Sequence, residues 1–160
     1  MHYYFDPDRA NYLELGKSAT SAYRLHYHFV FPTKFHREIF DRDIAQDLVN
    51  LLVTICQERE YHLLGLQVQP DHLHILISLK PKEKLSFVVQ LLKGRTSREL
   101  RKKYSQLSKL PALWTPAYFV RSLGEVNTAQ IKAYLDRQDD HHWVRSCLLY
   151  TSPSPRDRTR

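Results

Sequence analysis

The stretch that most constrains this chain is residues 70–78, PDHLHILIS, in which a β-branched apolar run follows two histidines. Such a run predicts a strand. Side chains alternate along a strand, so His72 and His74 share one face while Leu73, Ile75 and Ile77 take the other. Two imidazoles on one rigid face are suitable ligands for a divalent metal. The same spacing also occurs on half-exposed strands that bind nothing, so the rest of the chain has to decide between the two interpretations.

The length and charge of the chain limit the kinds of protein that it can be. Its 160 residues suit one domain with a real core. The net charge of +7 favours a polyanionic partner such as nucleic acid, although general solubility is the simpler explanation. No apolar run could span a bilayer and the N-terminus lacks the pattern of a signal peptide, so we expect a cytoplasmic protein. Cys56 and Cys147 have no partner at metal-site spacing and are interpreted as unpaired thiols.

Strands and helices alternate in the first half of the chain. Apolar and polar residues alternate over 22–31, which predicts a strand. His26 and His28 share a face of that strand; we expect them to face solvent, with contacts to nucleic acid or to a metal ligand as the alternatives. A capping box at Asp43 predicts an amphipathic helix to about residue 61. Residues 63–69 and 72–79 are then predicted to form the two strands of a hairpin.

The second predicted helix starts near Leu85 and changes from apolar to basic along its length. Arg95, Arg98 and Arg101 or Lys102 fall on one face by their spacing, and Lys93 precedes them. This basic stripe favours phosphate binding over a merely solvated surface, because Glu99 is the one acid within it.

The rest of the chain completes a recognisable order. An aromatic stretch at 113–122 predicts a fourth strand, and Asn127 resembles the cap of a last helix over 128–140. The order strand, helix, strand, strand, helix, strand, helix is that of an α+β, ferredoxin-like antiparallel sheet with a split βαβ arrangement and one added C-terminal helix. We therefore expect an N-terminal extension at 1–21, one domain at 22–145 and a separate tail at 146–160.

The tail changes composition abruptly. Residues 146–160 resemble a translated cloning or sequencing adapter more than a native terminus, and no function is assigned to them. Three arginines and one aspartate give the tail a net charge of +2, so +5 of the total +7 belongs to the rest of the chain. The basic character of the domain does not depend on the tail.

The last predicted helix carries Tyr134 and Gln138, four residues apart and hence neighbours on one helix face. Ile131 and Leu135 lie beside them, so this face meets the protein body. The simpler interpretation is structural: Tyr134 is a packed aromatic residue, and Gln138 lies at the rim of the contact. The alternative is that the amide oxygen is a third metal ligand, which would place the phenol next to the ion.

Four ordered motifs resemble one family. PDHLHILIS, KGRTSREL, LWTPAYFVRSLG and IKAYLDRQ follow each other at the spacing of the HUH single-tyrosine transposases, which mobilise the smallest bacterial insertion sequences as single-stranded DNA. The resemblance covers residues 23–141. It extends more distantly to the tyrosine transposases associated with palindromic repeats.

The resemblance implies a site and a reaction. It makes His72, His74 and Gln138 the ligands of Mg²⁺ or Mn²⁺ and Tyr134 the nucleophile that cleaves and rejoins single-stranded DNA through a 5′-phosphotyrosine. It also implies recognition of DNA hairpins and a homodimer, in which the tyrosine helix can sit against the partner's histidines. The resemblance also implies that a set of basic residues binds DNA: Lys93, Arg95, Arg98, Arg101, Lys102 and Arg121.

Three other functions are compatible with the sequence. A non-catalytic RNA- or DNA-binding protein could use the same sheet, with Tyr23, Tyr27 and Phe119 stacking on bases. A metal-dependent phosphodiesterase would use water as its nucleophile and leave no covalent adduct. An inactive transposase relic is the third, suggested by the unusual C-terminus.

Overall fold

The computed structural model describes residues 2–5, 16–124 and 128–137, and of residues 2–5, 128 and 134–137 it describes the backbone alone. The strands are β1 His2–Phe5, β2 Gly16–Lys17, β3 Ala22–Tyr23, β4 His26–Pro32, β5 His62–Val68, β6 His72–Ser78 and β7 Phe119–Leu123. The helices are α1 Arg42–Glu58, α2 Leu85–Lys103, α3 Ser105–Ser108 and α4 Thr128–Arg137, and a 3-10 turn spans Lys34–His36.

The main sheet is antiparallel, with the strand order β1-β5-β6-β4-β7. Its four strands β4, β5, β6 and β7 alternate with α1 and α2 in the predicted order, so the ferredoxin-like split βαβ fold is confirmed. β1, within the predicted N-terminal extension, adds a fifth strand beside β5. β2 and β3 form a separate two-stranded ribbon.

The hydrophobic core lies between one face of the sheet and helices α1 and α2. Leu73, Ile75 and Ile77 of β6 are completely buried in it, as the alternation predicts. α1 contributes residues at helical spacing, and α2 contributes fewer because its second half is basic. The helix residues in the core are Ile44, Ala45, Leu48, Val49, Leu52, Ile55, Cys56, Val88, Val89, Leu92 and Leu100.

The opposite face of the sheet is covered by α4. This helix contacts β5, and its Ile131 is only 2% exposed although it lies outside the core cluster. Val30 and Leu76, whose registers place them on the face of His74 and His28, are likewise buried outside that cluster. α4 therefore packs against the histidine-bearing face.

Several predicted boundaries are wrong by a few residues. The first long strand begins at His26, because residues 22–23 pair with β2 instead. α1 begins after Asp41, whose side chain accepts a hydrogen bond from the Ile44 amide at 2.9 Å, so the cap is not Asp43. The last strand begins at Phe119, since Trp114 only bridges to Thr33 and packs into the core. Among the described helices, none is long and apolar enough to cross a membrane.

Candidate metal centre and nucleic-acid interface

His72 and His74 lie side by side on the face of β6 that points away from α1 and α2. Their ring centroids are 4.9 Å apart and the ring planes are nearly perpendicular, at 82°. His72 is 6% exposed and His74 is 1% exposed. The predicted pair is thus built into the sheet, with both rings held by their surroundings.

Each imidazole is fixed through its Nδ1 atom by a different neighbour. His72 Nδ1 lies 2.6 Å from Oδ1 of Asp71, and this hydrogen bond lowers the pKa of the Asp71 carboxyl. His74 Nδ1 lies 2.9 Å from Nε2 of His28 on the adjacent strand β4. A ligand histidine held at one nitrogen in this way offers the other nitrogen in a fixed direction.

The Nε2 atoms of His72 and His74 are buried and have no hydrogen-bond partner within the part of the chain that the structure describes. Burial, reinforced by the neighbouring His28 and His72, holds the pKa of His74 well below its usual value, so its ring is neutral. Buried nitrogens without partners are rare in folded proteins and call for an explanation. A divalent metal would satisfy both atoms, so the donor pair fits a metal site.

The described residues contain no group of three histidine, cysteine, aspartate or glutamate side chains that could hold a metal. A third ligand must therefore be of another type or come from another segment. Gln138, the predicted third ligand, lies outside the described residues. Tyr134 lies in α4, one turn after the buried Ile131, and its role stays a prediction.

The turn that precedes His72 is tied to the segment after β4. The Thr33 amide donates to the Asp71 carbonyl at 2.9 Å, and the Thr33 hydroxyl lies 3.0 Å from the same oxygen. Phe35 and His36, two residues further on, adopt positive φ angles of 58° and 53°. Consecutive non-glycine residues in this region cost on the order of 1 kcal/mol each, so the hydrogen bonds around Asp71 hold a strained segment in place.

The expectation that His26 and His28 face solvent is wrong. His26 is 2% exposed and His28 is 1% exposed, because β4 is an interior strand of the sheet and this face is covered. Burial, with Arg121 nearby, lowers the pKa of His28 to about 3. The sequence did contain a signal for this contact. The first and third strands of a ferredoxin-like sheet are neighbours, so the predicted fold already implied that the two histidine pairs lie on adjacent strands.

Two of the predicted DNA-binding cations, Lys93 and Arg101, donate hydrogen bonds to backbone carbonyls of the protein itself. Lys93 Nζ donates to the carbonyls of Thr115 and Ala117, both at 2.8 Å, and burial lowers its pKa to about 8. Arg101 Nη2 donates to the Leu110 carbonyl at 2.7 Å. These contacts attach the loop before β7 to α2, so both residues have a structural role.

The other predicted cations divide between two surfaces. Arg95 pairs with Glu58 of α1, Arg98 is exposed beside Glu99 at 3.6 Å, and Lys102 is exposed. All of these belong to α2, on the far side of the sheet from the histidines. Arg121 pairs in register with His28 and is exposed on the histidine face. The structure therefore does not bring the six basic residues together.

Comparison with known proteins places this geometry in a family. Residues 21–138 match the family model described as "Transposase IS200 like". The chain is 30% identical over 131 residues to the ISDra2 transposase TnpA of Deinococcus radiodurans, which covers 80% of this chain and 94% of that protein. It is 29% identical over 115 residues to a transposase for insertion sequence element IS200 of Salmonella typhimurium, over 70% of this chain and 75% of that protein.

A solved structure gives the same result. The crystal structure of a protein described as a transposase from Deinococcus radiodurans superposes with a TM-score of 0.65 and 30% identity. The match covers 77% of this chain and 97% of the other. The shared fold therefore extends over nearly the whole of that relative.

Proposed function

The chain belongs to the IS200-like transposase family, and from this premise we propose that it cleaves and rejoins single-stranded DNA at insertion-sequence ends through a covalent 5′-phosphotyrosine intermediate. The observation that carries the proposal is the buried pair of Nε2 atoms on His72 and His74, each ring anchored through its Nδ1 atom. A merely structural pair of histidines does not need two unsatisfied nitrogens side by side.

In this proposal His72, His74 and Gln138 hold one Mg²⁺ or Mn²⁺ ion. Two neutral imidazoles and an amide oxygen leave the charge of the ion undiminished and leave coordination positions open. When bound, the ion supplies Lewis-acid stabilisation of the charge that develops on the scissile phosphate. Asp71 and His28 keep the two imidazoles in orientation, since they contact the ring nitrogens that face away from the ion.

Tyr134 is the proposed nucleophile. Its hydroxyl oxygen forms a bond to phosphorus, the bond from phosphorus to the 3′ oxygen breaks, and a proton passes to that leaving oxygen. The products are a 5′-phosphotyrosine and a free 3′-hydroxyl. The covalent link keeps the energy of the broken bond, so a 3′-hydroxyl from another end can reverse the step and join strands without a nucleotide cofactor.

The proposed partner is single-stranded DNA with hairpin ends, bound by a homodimer. The net charge of +7 and the exposed cations Arg98, Lys102 and Arg121 support a polyanionic partner. The alternative of a non-catalytic binding module is weakened by Tyr27, a proposed stacking residue, because its ring packs against the hydrophobic core. A single nucleophilic tyrosine per chain, Tyr134 in this proposal, also favours a dimer, since two ends must be processed.

The test is formation of a covalent adduct. Purified protein is incubated with Mn²⁺ and a pool of labelled single-stranded oligonucleotides, each with a hairpin and a randomised flank, and run on a denaturing gel. We expect a denaturation-resistant adduct that disappears with excess chelator. Tyr134→Phe, which removes one oxygen and keeps the ring, should bind the pool and form no adduct.

Tyr104→Phe is the matched control, because it removes the same atom from a tyrosine whose hydroxyl instead binds Asp47 between α1 and α2. It should form the adduct as the wild type does. An adduct on Tyr134→Phe would overturn the assignment of the nucleophile. Cleavage without any adduct would indicate a water nucleophile, and binding without cleavage would indicate a relic or a binding module.

A further inference from the structure

We propose that His28 is a positioning residue, which holds His74 in the tautomer with its proton on Nδ1 and so keeps the lone pair of His74 Nε2 available to a metal. The inference rests on the proposed metal site, but the tautomer it assigns is a property of the metal-free protein. His28 belongs to a different strand from the two ligands and is outside the family motifs identified in the sequence.

The register of the sheet brings the two rings together. β4 pairs with β6 so that Val30 lies opposite His74 and His28 opposite Leu76. His28 and His74 are therefore diagonal neighbours on one face, within reach for long side chains. Their ring nitrogens are 2.9 Å apart, their centroids are 5.2 Å apart, and both residues are 1% exposed. This hydrogen bond is shielded from water and hence from competition.

A hydrogen bond between two neutral imidazoles allows two arrangements. In the first, His74 Nδ1–H donates to His28 Nε2, and His74 Nε2 carries a lone pair. In the second, His28 donates, and the proton of His74 sits on Nε2, a buried atom with no acceptor among the described residues. The second arrangement leaves a buried N–H group without an acceptor, which is rare in folded proteins. It would also block the nitrogen that a metal needs.

The neighbouring ligand provides an internal comparison. The Asp71 carboxylate can only accept, so His72 Nδ1 must donate, and in the neutral ring His72 Nε2 then carries the lone pair. The first arrangement gives His74 the same tautomer, so that two lone pairs lie side by side on β6. Only this arrangement makes both orphaned Nε2 atoms competent ligands.

The difference in anchors has a physical reason. The Asp71 side chain is 26% exposed, so its charge remains partly solvated. His28 is enclosed, and a carboxylate in its place would be a buried charge, which is unfavourable because it loses its hydration. A neutral imidazole accepts the hydrogen bond without that cost. The chain thus uses a charged anchor at the sheet end and a neutral one in the sheet interior.

The test measures the tautomer and the metal affinity separately. Nitrogen-15 NMR of histidine-labelled, metal-free protein reports which nitrogen of His74 carries the proton, and a titration with Mn²⁺ alone, followed by electron paramagnetic resonance, gives the affinity. In the wild type we expect the proton on Nδ1. His28→Phe keeps a ring of similar size but removes the acceptor, so we expect loss of the single tautomer and a roughly 10- to 100-fold weaker Mn²⁺ affinity.

Two further variants separate hydrogen bonding from packing. His28→Gln restores an acceptor, because its amide oxygen reaches the position of the lost Nε2, and should recover most of the affinity. His26→Phe is the matched control: His26 lies on the same strand face, is 2% exposed, and makes no hydrogen bond through its ring within the described residues. It should leave both the tautomer of His74 and the Mn²⁺ affinity unchanged.

A proton on Nε2 of His74 in the wild type would overturn the proposal without the need for any variant, even if His28→Phe does not fold. A wild-type tautomer and affinity in folded His28→Phe would overturn it as well. Wild-type protein that shows the expected tautomer but does not bind Mn²⁺ would count against the proposed metal site, and the assignment to His28 would stand.

Discussion

His72 and His74 each have one ring nitrogen bound to the protein and one buried nitrogen without a partner among the described residues. This asymmetry distinguishes a prepared ligand pair from two histidines that fill space. The different anchors, Asp71 and His28, show that the sheet achieves the same orientation by two routes.

At the residue scale, His72→Ala or His74→Ala should abolish Mn²⁺ binding and adduct formation, because one imidazole and one amide bind a divalent ion too weakly. Circular dichroism should show a folded protein, since neither side chain belongs to the core cluster. Binding of hairpin oligonucleotides, measured by gel shift, should be mostly retained. Wild-type adduct formation by either variant in excess chelator would disprove a metal-assisted reaction.

Lys93 provides a pH-dependent prediction. Burial lowers its pKa to about 8 from 10.5 for an ordinary lysine, so between these values the unfolded chain binds more protons than the folded one. The unfolding free energy of the wild type should therefore rise relative to Lys93→Met as the pH increases from 8 to 10, by on the order of 2 kcal/mol. Chemical denaturation at several pH values measures the difference.

Lys82→Met is the control for this prediction, because it removes a lysine from an exposed position in the loop before α2. Its stability relative to the wild type should stay constant over the same pH range. A constant difference for Lys93→Met as well would mean that Lys93 remains an ordinary, solvated ammonium in the folded protein.

At the scale of the element, α2 has two functions along its length. Its apolar half packs against α1 and the sheet, and its basic half carries the proposed phosphate contacts. Lys93 and Arg101 bind backbone carbonyls of the following loop. The cations of the basic stripe that remain on the surface are Arg95, Arg98 and Lys102.

Replacing Arg95, Arg98 and Lys102 together by alanine should weaken binding to single-stranded hairpins and flatten its salt dependence. Each lost phosphate contact should reduce the slope of log affinity against log salt by roughly 0.7–0.9. The matched control replaces Lys80, Lys82 and Lys84 by alanine, which removes the same charge outside α2. Equal effects of the two triple variants would show a general charge effect, and an unchanged slope for the α2 variant would place DNA elsewhere.

At the scale of the whole molecule, the histidines and Tyr134 belong to separate elements, β6 in the middle of the chain and α4 nearer its C-terminal end. This separation permits a site completed by a second subunit. Mixing His72→Ala with Tyr134→Phe should then restore one intact site per heterodimer, and the adduct should appear on the His72→Ala chain, which retains Tyr134.

Subunits of different length identify the modified chain on a denaturing gel. Each variant alone should form no adduct, so the mixture is compared with the two separate proteins. Absence of an adduct from the mixture, with heterodimers shown by mass spectrometry, would mean that each site is built within one chain.

The sequence by itself determined the local periodicities and their order. The period-two pattern of residues 72–78 assigned the histidines and the core residues of β6 to their correct faces, and the helical spacing of residues 44–56 identified the buried side of α1. Both follow from backbone geometry over a few residues, which the sequence carries directly. The four ordered motifs further indicated the family that the comparisons then confirmed.

Only the tertiary structure decided which distant groups meet. The pairing of β4 with β6 placed His28 against His74, and the path of the loop before β7 placed two carbonyls against Lys93, a predicted DNA contact. Neither contact can be detected from local periodicity. The His28–His74 contact joins residues 46 positions apart, and the contacts of Lys93 join residues 22 and 24 positions apart. Their energies depend on burial and on exact strand register, which are properties of the assembled sheet rather than of any one segment.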